Sequence, residues 1–289
     1  MTVPTLVSPG HPDVTLHLPD RRRRALWTVS ILLIVLAAVV VAGTLLADVA
    51  AKPDLLNRRQ APSLSHPFGT DWLGRDLLAR TLVGLRLSLV VGTLAAAVSA
   101  VIALLLSIVA ASLGRWADTA VGWLVDLFLA VPHLVLLILV AFAFGGGLTG
   151  VVVAVAVTHW PSLARLLRAE GRRVMEADYV HLSRNLGKSR WWIGRKHLLR
   201  HLLPQFTVGL VLLFPHAILH EAALSFLGFG LPPDSPAVGI ILADAMRELS
   251  SGAWWLALLP GLALLAVVKA VDVLGDQVRA LTDPRSVHE

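Results

Sequence analysis

"NLGKSRWWIGRKHLLRHLLP", residues 185–204, is the stretch on which the reading of this chain turns. It is crowded with Arg, Lys, His and Trp, yet apolar runs long enough for a bilayer flank it on both sides. A spanning helix takes roughly 20 mostly apolar residues. Such runs lie at about 25–47, 86–112, 119–143, 147–164, 206–227 and 254–274. In lipid every backbone polar group needs an internal partner, so each run must be helical. The expected fold is an all-α integral membrane protein with six transmembrane helices. Residues 185–204 then fall in the loop between the fourth and fifth. Gly145-Gly146-Gly147 predicts a tight turn between the third and fourth.

Composition agrees. Of 289 residues, 56% are hydrophobic and 15% are charged, against about 25% charged in soluble domains. There is no cysteine, which excludes disulfides, thiolate chemistry and Cys-based metal sites. The net charge of +6 sits in loops between apolar runs. That distribution sets topology, and no nucleic-acid partner is expected.

Residues 1–20 are polar and carry Pro4, Pro9, Pro12 and Pro19. Arg21–Arg24 and a long apolar run follow, a pattern of a retained first helix rather than a cleaved leader. The basic cluster places the N-terminal tail, 1–24, in the cytoplasm. The loop between helices four and five is then also inside. It holds ten Lys and Arg from Arg165 to Arg200, whereas the outer loop 228–253 holds only Arg247. An even helix count puts the C-terminal tail, 281–289, inside as well. The outer loop 48–85 is expected to lie partly along the membrane surface, because Trp72, Leu73, Leu77 and Leu78 fall on helical spacing. A docking surface for an external protein is the other reading of that loop.

Two motifs come close to catalytic signatures and miss. Gly187-Lys188-Ser189 ends like a phosphate-binding loop, but Leu182 stands where its first Gly is needed, and no strand is predicted before it. His220-Glu221-Ala222-Ala223-Leu224 begins like a zinc-protease helix, but Leu224 replaces the second His. His216 lies four residues before His220, so these two imidazoles share a helix face. Ionisable groups inside a membrane are functional candidates. His216, His220, Glu221 and Asp126 are accordingly candidates to line a translocation path, with direct metal ligation the lesser alternative and no metal site assigned. Lys269 and Asp272 are three residues apart and are expected to neutralise one another. Gly92, Ala95, Ala96, Ala97, Ser99 and Ala100 form a small-residue face suited to close helix packing.

His66-Pro67-Phe68-Gly69-Thr70-Asp71-Trp72-Leu73-Gly74-Arg75-Asp76 resembles the "HPFGTDxLGRD" stretch of ABC importer permeases of the dipeptide, oligopeptide and nickel group. The likeness continues through Gly84–Leu89, Val125-Asp126 with Pro132, Glu221–Gly230, Leu274-Gly275-Asp276 and Leu281–Arg285. It is similar to the second, "C"-type, permease subunit of such systems. The resemblance implies a type I importer permease fold: residues 25–85 as first helix and outer loop, and 86–280 as the permease core. It implies a coupling loop at about 165–203 that docks on an ATPase. In the family this loop carries an "EAA" motif with a following Gly. Here Asp178, Tyr179, His181, Ser183, Arg184, Gly187 and Lys188 occupy it, with His181-Leu182-Ser183 in place of E-A-A. A Gly permits a positive φ, hence a sharp turn between two short helices. Trp191 and Trp192 suit a membrane interface.

The implied partners are a homologous second permease, two ATPase subunits and an extracytoplasmic solute-binding protein. The chain itself is no enzyme and carries no cofactor; ATP and magnesium belong to the ATPases. The implied location is the plasma membrane of a prokaryote. Peptides are the family default as substrate. Thr158-His159-Trp160, Ser183-Arg184 and the His216/His220 face tilt towards nickel or a metal chelate, and the choice stays open. The alternative class is an ion-coupled secondary transporter, which would show an internal repeat; none is evident between the halves. A membrane protease would need a complete catalytic set, which is missing.

Overall fold

The computed structural model describes residues 21–282. Of the predicted tails 1–24 and 281–289, residues 1–20 and 283–289, with Arg285, lie outside the described residues, and the remainder is helical. Among the described residues the regular elements are all helical, apart from one isolated bridge between Thr70 and Asp76. The elements are α1 (Arg21–Leu45), α2 (Ala47–Ala51), α3 (Leu77–Leu113), α4 (Arg115–Ala130), α5 (His133–Ala143), α6 (Gly147–Thr158), α7 (Trp160–Met175), α8 (Asp178–Asn185), α9 (Arg190–Ile193), α10 (Leu199–Phe226), α11 (Val238–Glu248) and α12 (Trp255–Thr282). A π-helical turn, Gly194–Leu198, joins α9 to α10.

Helix α3 is the central post, 37 residues long and so about 55 Å. It packs against α10, α7, α1 and α6. Lipid tails are as apolar as Leu, so burying Leu here gains little; close backbone approach gains contacts instead. The small-residue face does this. Gly92, Ala95, Ala96, Ser99 and Ala100 are buried, and Ala97 is half-buried at the edge. A Cβ on Gly92 would press on Ile218 and Phe214 of α10. Ser107 donates to the Ala164 carbonyl, 3.3 Å away, and ties α3 to α7.

Among the described residues five stretches are long and apolar enough to cross a membrane: 23–45, 77–113, 147–175, 190–226 and 255–281. The third expected span, 119–143, is not one straight helix. α4 and α5 meet at 98°. Pro132 is the cause: it has no N–H to donate and pushes the preceding residue out of the helical region. Val131 sits at φ −84°, ψ 134°. The six-span count holds only if this bent pair is taken as one span.

The second span begins nine residues earlier than expected, at Leu77. Arg80 suggested loop, but it is buried and paired with Asp71. The amphipathic helix expected across Trp72, Leu73, Leu77 and Leu78 is not formed. Residues 71–75 make a turn, and α3 starts only after Asp76, whose carboxylate accepts from the Ala79 N–H at 2.8 Å. The Gly145–Gly147 turn is as expected, with all three glycines at positive φ.

Candidate functional site: a histidine-lined cavity and an exposed hairpin

Two breaks in helices face one another. One is the α4–α5 bend at Pro132. The other is the junction of α6 and α7 at His159, followed by Trp160-Pro161. Irregular backbone at membrane depth is tolerated where it lines a cavity or is buried in protein. Here it borders a cavity of about 440 Å³, lined by His133, Thr158, His159, Ser162, His216 and His220 among others. The rings of His133, His159 and His220 stand edge-to-face in a triangle, with centroids 4.7 to 4.9 Å apart.

Local hydrogen bonds set the tautomers. A carbonyl oxygen can only accept, so the ring nitrogen facing it must carry the proton. His159 Nδ1 lies 2.8 Å from the Val155 oxygen. His220 Nδ1 lies 2.8 Å from the His216 oxygen, and His216 Nδ1 lies 3.0 Å from the Leu212 oxygen. Each neutral ring therefore keeps its lone pair at Nε2. One ring nitrogen from each of His133, His159 and His220 lies within 4.8 Å of the other two.

Of the four residues expected on a translocation path, the structure brings His216 and His220 to this cavity. Glu221 is elsewhere. It is fully buried between α3 and α10, accepting hydrogen bonds from the hydroxyls of Ser88 and Ser225. The 100° step between neighbours on a helix explains the split. Asp126 is exposed on α4 and pairs with Arg165 of α7 at 3.4 Å. The site residue that sequence reasoning missed is His133. Its signal was the preceding Pro132, which ends a helix. Lys269 and Asp272 pair at 2.7 Å, as expected.

The second feature is the segment 178–193. Helices α8 and α9 form a hairpin about Gly187, at φ +77°. Its inner side is fixed by Val180 and Ile193, buried in one apolar cluster with Leu198 and Leu202. Its outer side exposes Asp178, Tyr179, His181, Arg184, Gly187 and Lys188. Ser183 is half-buried: its hydroxyl donates to the Tyr179 carbonyl at 2.8 Å and lies 3.1 Å from His197 Nε2. Ser189 caps α9 by accepting from the Trp192 N–H at 3.2 Å, and Lys188 lies 5.3 Å from the Trp192 ring centre. The residues resembling a phosphate loop are thus a helix, a turn and a cap.

The family stretch 66–76 is a folded knot. The Asp71 carboxylate accepts from the N–H groups of Leu73 and Arg75, both at 2.9 Å, and pairs with the Arg75 and Arg80 side chains. His66 Nδ1 meets Asp76 at 2.8 Å. Gly74, at φ +76°, lies so close to Asp54 that a Cβ would overlap its carbonyl oxygen.

A long central helix, a broken helix pair and an anchored exposed hairpin sit among helices long and apolar enough to cross a membrane. Residues 103–285 match the family described as "Binding-protein-dependent transport system inner membrane component". The chain is 37% identical, over 265 residues, to a Brucella suis protein named as a candidate peptide transport system permease, covering 92% of this chain and 89% of that one. It is 35% identical over 233 residues to an Escherichia coli K12 protein named as a candidate D,D-dipeptide transport system permease, covering 81% and 78%. The chain belongs to this family of binding-protein-dependent transport permeases. It is a multi-pass inner-membrane transport component.

Proposed function

We propose that this chain is one of two permease subunits in an ATP-driven importer of di- or oligopeptides. The observation that carries the ATP coupling is the hairpin 178–193: anchored on its inner side, polar and exposed on its outer side, and turning at Gly187. A rigidly held hairpin transmits force to the helices it is rooted in, here α7 and α10. Two cytoplasmic ATPases would grip this hairpin and its counterpart in the second permease. ATP and magnesium act in those partners. ATP-driven closure would favour one of two helix arrangements, and a solute-binding protein outside would favour the same one. The switch is as large as the partners' differential affinity for the two states. The hairpin then faces the cytoplasm, as do both termini.

The names of the relatives support peptide as cargo. The histidine-lined cavity favours the second reading, nickel or a metal chelate, because imidazole suits such ions. Purification of the tagged chain in mild detergent from its native host tests the coupling. The expected result is a second permease and ATPases with the wild type. Gly187→Pro should keep the permease and lose the ATPases, because Pro cannot adopt the positive φ and lacks the N–H that Gly187 donates to the Arg184 carbonyl at 2.9 Å. A wild-type complex without ATPase, under conditions that preserve such complexes, would overturn the proposal.

A further inference from the structure

We infer that His133, His159 and His220 form a binding site for a divalent transition cation at the mid-depth cavity, taken up in transit rather than held as a resident cofactor. Its role in passage rests on the importer reading; its existence rests on geometry alone. Three imidazoles come from three elements, α5, α10 and the α6–α7 junction, and converge one ligand nitrogen each within 4.8 Å. Tetrahedral zinc–nitrogen bonds of about 2.0–2.1 Å place ligands roughly 3.3 Å apart. Closure by an ångström or so of ring movement therefore suffices. His159 Nε2 now lies 3.2 Å from His220 Nδ1, the nitrogen that carries the proton, so His220 must also turn to present Nε2.

Two of the rings are held as metal-binding imidazoles are held. An Nδ1–H bonded to a carbonyl fixes the ring and leaves Nε2 as the donor atom, and His159 and His220 both do this. The alternative account, three aromatic rings packed for their own sake, does not require the lone pairs to converge on a cavity. The donors are nitrogen, which suits nickel, cobalt, copper or zinc over magnesium or calcium. No carboxylate belongs to the group among the described residues. Glu221, the nearest acid in sequence, is turned away into its bonds with Ser88 and Ser225. A set of three His also holds resident zinc in other proteins, so the transit role rests on the importer reading. Three protein ligands also leave a coordination position open, for water or for a donor atom of a chelating peptide. His216 lies on the same cavity wall, one turn before His220.

The test is a Co²⁺ titration of the full chain, with its copurifying partners, in detergent and with a tag that is not polyhistidine. Cobalt is read by its visible ligand-field bands. One saturable Co²⁺ per chain is expected. His159→Gln and His220→Gln should each weaken it by more than the roughly 10–100-fold that loss of an outer-shell partner costs. His197→Gln/His201→Gln, in the exposed hairpin region, should leave the bands unchanged. Thermal unfolding of each variant separates loss of ligand from loss of fold. Repeating the titration with Co²⁺ premixed with triglycine tells the source: bands with the metal alone mark a free ion, and bands only with the peptide mark a chelate; either supports the site. No saturable bands in a folded wild-type complex would overturn the site while leaving the importer reading intact. Bands that survive the His133→Gln/His159→Gln/His220→Gln triple variant would overturn it too. Histidine-dependent bands in a preparation that brings down no ATPase would support the site and remove the importer reading.

Discussion

Asp71 holds more of the outer loop than any other side chain there. It is 2% exposed and pairs with Arg75 and with Arg80, itself 2% exposed. A buried cation left without its partner costs about 3–5 kcal/mol, whereas removing both members of a pair for apolar groups is often nearly neutral. Asp71→Asn should therefore destabilise the purified chain by about 3–5 kcal/mol, read as a lowered midpoint of thermal unfolding. Arg80→Met added to it should recover part of that loss, because the buried cation left without its partner is then gone. The motif that carries the family likeness is thus legible in sequence as letters, but its work is structural. The spacing of Trp72, Leu73, Leu77 and Leu78 suggested a helix on the membrane surface, and the carboxylate of Asp71 instead draws residues 71–75 into a turn. Arg80 shows the same limit: charge alone predicts exposure, and only the Asp71 contact makes burial tolerable.

At the scale of elements, the bend between α4 and α5 decides the site. A straight helix would put residues 123 and 139 about 24 Å apart; the 98° bend shortens this considerably. The chain has no cysteine, so Trp123→Cys/Leu139→Cys takes a pair of spin labels without background, and both positions are exposed. The wild type should give the short distance. Pro132→Ala, which removes a bias of about 3 kcal/mol against a continuous helix, should lengthen it in part of the population. An unchanged distance would mean that the packing of Leu137 and Ala141, both fully buried, holds the bend without help from the proline. Hydropathy marks 119–143 as apolar but is blind to its direction, and so gives no sign that His133 belongs to a cluster. The hairpin of α8 and α9 was far more legible. Gly187 between two polar helical segments predicts a turn, and the turn is there.

For the whole molecule, the distribution of Lys and Arg predicts an orientation that can be tested directly. With the hairpin inside and the 66–76 knot outside, a membrane-impermeant maleimide should label Ser65→Cys in spheroplasts. It should label Asn185→Cys only after the membrane is opened; both residues are exposed. The reverse pattern would invert the topology and place the hairpin out of reach of any ATPase.

The sequence by itself determined the membrane, the helices and the family. Those rest on local quantities: runs of apolar residues, glycines that permit positive φ, and an ordered set of motifs spread along most of the chain. The tertiary structure decided which polar groups meet. His216 and His220 reach the cavity while Glu221, one residue on, is turned 100° into bonds with serines. His133 and His159, at two helix breaks, arrive beside them. Periodicity tells which residues share a face of one helix, but convergence of side chains from several elements depends on where helices bend and cross, and that is set by packing across the chain.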